Sequence, residues 1–80
     1  MMSQLDKFNE YICEVFGVEP DEFSDDSTPD DIDSWDSVTH MDLMALFEDE
    51  WDLALDVEEI TEMTTIGLMK EALKNHGVKV

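Results

Sequence analysis

Apolar residues in this chain recur at helical spacing, and nowhere do they alternate with polar ones long enough to form a strand. Leu5, Phe8, Ile12, Val15 and Phe16 follow i, i+3, i+4 spacing, which predicts an amphipathic helix from about Ser3 to Phe16 that stops at Gly17. Leu43, Met44, Phe47 and Trp51, with Leu55 beyond, mark a second stripe in a helix from about Ser37 to Asp52. A short turn or helix is expected around Asp56–Ile60. Thr64-Thr65 then caps a last helix from about Ile66 to Asn75, with Ile66, Met69, Ala72 and Leu73 inward and Gly77 at its end. Lys70 and Lys74 fall in its later turns, where they complement the helix dipole. The fold class is therefore all-α, a small four-helix bundle with three main helices and one short one. Residues 1–80 are read as a single domain, in which each helix buries one stripe.

Between the first two helices lies a long connection, from about Val18 to Trp35, rich in Asp and punctuated by Pro20 and Pro29. Loops longer than about 12–15 residues usually have a job when they are ordered. Here Phe23, Ile32 and Trp35 are its apolar anchors. Its expected role is to pack Phe23 and Ile32 across helix ends and deliver Ser37 to the start of the second long helix.

Size and charge narrow the function. A chain of 80 residues buries roughly 60–65% of its unfolded surface, so little apolar volume is left for a deep catalytic pocket. There are 22 acidic residues against four lysines, a formal net charge of -18. Nucleic acid and anionic membrane surfaces would be repelled at every approach, whereas basic protein surfaces would be attracted and steered. The hydrophobic fraction of 42% is too high for a typical disordered acidic tail. Cys13 is the single cysteine, which precludes an internal disulfide and fits a reducing compartment. No signal-peptide pattern opens the sequence and no apolar run is long enough to insert in a membrane, so a soluble cytoplasmic monomer is expected.

The informative stretch is Asp33-Ser34-Trp35-Asp36-Ser37-Val38-Thr39-His40-Met41-Asp42-Leu43. It places Ser37 where a long loop meets a helix N-terminus. Unpaired N–H groups and positive potential at such a terminus favour a phosphate ester. The plainer role for a serine there is to cap the helix, and the local residues leave both readings open.

The order of motifs along the chain resembles the acyl carrier protein family, the carriers that bind phosphopantetheine. Asp36-Ser37-Val38 is followed by Leu43-Met44-Ala45-Leu46, the acidic run Glu48-Asp49-Glu50 closed by Trp51, then Val57-Glu58-Glu59-Ile60 and Thr64-Thr65-Ile66. Leu5, Phe8, Ile12 and Phe16 are similar to the family's first helix. The resemblance implies that Ser37 accepts a 4'-phosphopantetheine arm from coenzyme A, with Asp36 as the flanking acid. It implies a phosphopantetheinyl transferase as partner, together with acyl- or aminoacyl-loading ligases and acyl-processing enzymes bearing basic patches. It also implies that the chain is no enzyme, since the chemistry belongs to the arm and its partners. Ser34 also follows an aspartate, but Ser37 is the serine that brings Trp51 into register with the family's aromatic position.

On this reading Val38, Met41 and Ala45 form an apolar strip beside the serine, with Asp42, Glu48 and Asp49 as the acids that meet a partner. Three departures from the family pattern concern the cargo: Ser34-Trp35 where a glycine is usual, Val38 for leucine, and His40 one turn after the serine. They point to a specialised carrier in a fatty acid, polyketide or polysaccharide-related pathway.

Competing readings are weaker. Ser37 and His40 lie three apart, but the sequence supplies neither a base-orienting acid nor an oxyanion hole, and it has no G-x-S-x-G turn. A calcium loop begun at Asp31 fails at its fifth, sixth and twelfth positions, so no metal site is assigned. The main alternative is an acidic helical interaction domain without a covalent arm.

Overall fold

The computed structural model describes residues 2–80. These residues form four α-helices: α1 (Gln4–Phe16), α2 (Ser37–Trp51), α3 (Val57–Glu62) and α4 (Ile66–Asn75). No strand occurs among the described residues.

Each helix starts where the sequence supplies an oxygen for its first free N–H groups. Ser3 and Asp6 form a reciprocal capping box at α1, and Asp56 and Glu59 form another at α3. Thr65 Oγ1 accepts from Leu68 N–H at α4. α1 ends at Gly17 with φ 66°, a left-handed conformation that costs glycine nothing. α2 ends less easily, because Asp52 takes φ 49°.

The core is built from one stripe per long helix: Phe8, Ile12 and Phe16 from α1, Leu43, Met44 and Phe47 from α2, and Ile66, Met69 and Leu73 from α4. Phe8 and Phe47 stack with ring centroids 5.3 Å apart. Burying each such ring contributes about 1.5–3 kcal/mol. α3 buries no residue of its own; Ile60 packs half-buried at the core margin and Met63, just beyond the helix, is buried.

Some expectations shift. Leu5 is exposed rather than inward-facing, and Val15 and Trp51 are only half-buried. Tyr11, not read as a core residue, lies against Phe47 and Trp51. Its hydroxyl donates to Glu50 and ties α1 to α2. The short helix runs on to Glu62, past the expected end at Ile60.

The long connection is ordered by what it touches. It makes one 3₁₀ turn at Pro20–Glu22, after which Phe23 is half-buried and Ile32 and Trp35 are buried. Its backbone also closes the start of α4. Ile66 N–H donates to the Ser27 carbonyl and Gly67 N–H to the Asp25 carbonyl, at 3.2 and 2.8 Å. A Cβ on Gly67 would stand 3.1 Å from that Asp25 oxygen, so glycine permits the approach. Lys70 adds a 2.7 Å ion pair to Asp25. The loop is thereby fixed at α4 and at the core before it reaches α2.

Candidate functional site

α2 begins at Ser37, but Asp36 makes the cap. Asp36 Oδ1 accepts from Val38 N–H and Thr39 N–H, each at 3.0 Å. Thr39 Oγ1 in turn accepts from Asp36 N–H at 2.9 Å, and it donates to the Ser34 carbonyl at 2.7 Å. The Asp36 carboxyl is consequently held below its ordinary value, chiefly by the hydrogen bond from Thr39 N–H. With the cap already made, the Ser37 hydroxyl has no hydrogen-bond partner among the described residues, and the residue is exposed. The two roles left open for Ser37 thus separate: its neighbour caps, and its own oxygen stands in solvent at the positive end of a 15-residue helix.

Ser34 is used differently. Its hydroxyl donates to the Phe16 carbonyl at 2.5 Å, where it helps close the end of α1. It is half-buried.

His40 joins three segments. Trp35 Nε1–H donates to His40 Nδ1 at 3.0 Å, and His40 Nε2 lies 2.8 Å from the Ile60 carbonyl of α3. A ring that accepts at Nδ1 and donates at Nε2 is neutral, with its proton on Nε2. Both nitrogens are engaged, so neither is free to act as a base toward Ser37. Trp35 continues inward, stacked on Phe16 at 5.2 Å.

Between α2 and α3 opens a cleft of about 470 Å³, with Ser37 and Met41 on one side, Ile60 and Met63 on the other, and Trp35 and His40 in its wall. An exposed hydroxyl at the mouth of a mostly apolar cleft suits a flexible organic arm tethered through a phosphate.

A family model described as "Phosphopantetheine attachment site" matches residues 6–73. The chain belongs to this family of carrier proteins. As a carrier it is non-catalytic: it bears 4'-phosphopantetheine covalently, attached by a phosphopantetheinyl transferase. The residues at the start of α2 fit such a group, because they combine an unengaged hydroxyl with an adjoining cleft.

The outward face of the carrier's α2 holds most of the residues read as partner-facing. Val38 is 69% exposed and Met41 53% exposed, and Ala45, Asp42 and Asp49 are exposed beside them. Glu48 differs from them. It is half-buried, accepts Leu55 N–H at 2.8 Å and so holds the chain after α2. Val57, at the start of α3, is 78% exposed. Its sequence context assigns it no role beyond the Val-Glu-Glu-Ile turn, since a valine next to acidic residues carries no mark of exposure. No helix among the described residues is long and apolar enough to cross a membrane.

Proposed function

We propose that Ser37 is the residue that takes the 4'-phosphopantetheine arm and that this carrier presents acyl or aminoacyl groups to partner enzymes as thioesters. The arm, when bound, supplies the thiol on which those groups ride. The observation that carries the reading is the division of labour at the start of α2. Asp36 satisfies the Val38 and Thr39 N–H groups, which leaves the Ser37 oxygen unengaged for esterification. The Ser34 hydroxyl, by contrast, is committed to Phe16.

Recognition falls to α2. Val38, Met41 and Ala45 offer apolar contact, and Asp42 and Asp49 draw in basic patches on the transferase, the loading ligase and the processing enzymes. Glu48 contributes charge from a fixed position. The pathway is a specialised one, of the fatty acid, polyketide or polysaccharide-related kind, and the carrier works as a cytoplasmic monomer. Incubation with a transferase and coenzyme A, followed by intact mass, tests the reading. The mass should rise by one phosphopantetheine in the parent chain and in Ser34→Ala, and should not rise in Ser37→Ala.

A further inference from the structure

The cleft beside Ser37 has a hydrogen-bonded wall. Trp35 is 5% exposed, and its indole N–H is satisfied by His40, whose opposite nitrogen satisfies the Ile60 carbonyl. The rings of Trp35 and His40 lie nearly parallel, 15° apart, with centroids at 6.0 Å. Behind them the core is closed: Phe8, Ile12, Leu43, Phe47 and Leu73 are fully buried. A chain entering the core between α2 and α3 would have to part His40 from Trp35 or from Ile60. Parting His40 from Trp35 would strand a buried indole N–H, and parting it from Ile60 would remove the shorter of that carbonyl's two hydrogen bonds, the other being a 3.4 Å bond from Met63 N–H; an apolar chain can replace neither. The cleft itself, at about 470 Å³, is the space beside Ser37 into which the arm and a short cargo can fold back.

We propose that the Trp35–His40–Ile60 hydrogen-bond chain bars the cargo from the core, and that His40 thereby suits this carrier to short acyl groups rather than long alkyl chains. The proposal rests on Ser37 as the attachment point. His40 is a positioning residue: it acts through Trp35 and α3, and it need not touch the thioester.

The test uses the full chain loaded by a transferase from acetyl-, butyryl-, octanoyl- and dodecanoyl-coenzyme A, and follows amide and methyl resonances by NMR. Intact mass is checked first. No gain of an acyl-phosphopantetheine overturns the Ser37 reading and this proposal with it. With the arm attached, cleft residues such as Met41, Ile60 and Thr64 should shift, while the methyls of Ile12, Leu43 and Leu73 stay fixed from acetyl through dodecanoyl. In His40→Ala, those core methyls should shift progressively with chain length. His40→Gln, which offers both a carbonyl and an amide N–H, should restore the parent pattern. Core methyls that move with chain length in the parent protein would overturn the proposal while leaving Ser37 in place. So would a dodecanoyl-loaded His40→Ala whose core stays still. The parent series decides even if His40→Ala fails to fold.

Discussion

The hydroxyl of Ser34 donates to the carbonyl of Phe16, eighteen residues earlier in the chain, at 2.5 Å. That bond satisfies a carbonyl in the last turn of α1 and fixes the residues just before α2. Ser34 and Ser37 both follow an aspartate, yet one is a structural tie and the other an open hydroxyl. Ser34→Ala is therefore expected to lower stability by about 1 kcal/mol, the usual worth of an internal hydrogen bond, and to leave modification intact. Ser37→Ala should change stability by less than about 0.5 kcal/mol, as exposed substitutions do. Urea unfolding of the two variants checks the contrast.

The cap at α2 makes a pH prediction. The Asp36 carboxyl lies below its ordinary 3.8, mainly because Thr39 N–H bonds its ionised form. A depressed carboxyl contributes stability that is complete above its unfolded value and is lost as pH falls through its folded one. Asp36→Asn should be less stable than the parent near neutrality, and the gap should narrow as pH falls below about 3.8. A gap that stays constant with pH would show that the charge of Asp36 contributes nothing to the cap.

Tyr11 gives the opposite sign at the other end of the scale. Its hydroxyl is pushed from 10.0 up to about 12, first by its hydrogen bond to Glu50 and then by burial. Its share of stability is complete below about pH 10 and is lost as pH rises toward 12. Because the chain has a single tyrosine, phenolate absorbance reads this group alone. The midpoint should fall toward 10 in Glu50→Gln, and Tyr11→Phe should cost about 0.5–1 kcal/mol at neutral pH.

Much of the architecture was legible in the sequence. The period of Phe8, Ile12 and Phe16, the stripe of Leu43, Met44 and Phe47, and the Thr65 cap give three helices with their inward faces. What escaped was carried by the backbone or by single side chains with two distant partners. No residue type announces that the carbonyls of Asp25 and Ser27 will close the start of α4. Nothing in the sequence pairs His40, one turn after a serine, with two distant partners, and only the placement of Trp35 and Ile60 around it makes it a bridge. Glu48 belongs by periodicity to the outer face, but the turn after Asp52 brings Leu55 N–H back to its carboxylate.

Charge sets the kinetics of encounter. With a formal charge of -18, association with a basic partner is accelerated by long-range attraction that salt screens over about 8–10 Å at physiological strength. The association rate with the transferase should fall about tenfold or more between low and high salt, with a smaller change in the dissociation rate. Stopped-flow mixing across a salt series measures both, and a flat association rate would rule out electrostatic steering.

Fragmentation of the modified chain in a tandem mass spectrometer, after reaction with transferase and coenzyme A, reports which oxygen carries the arm. One phosphopantetheine on Ser37, and none on Ser34, is the predicted spectrum. An arm found on Ser34, or a chain that several transferases leave unmodified, would contradict the assignment of Ser37 as the acceptor.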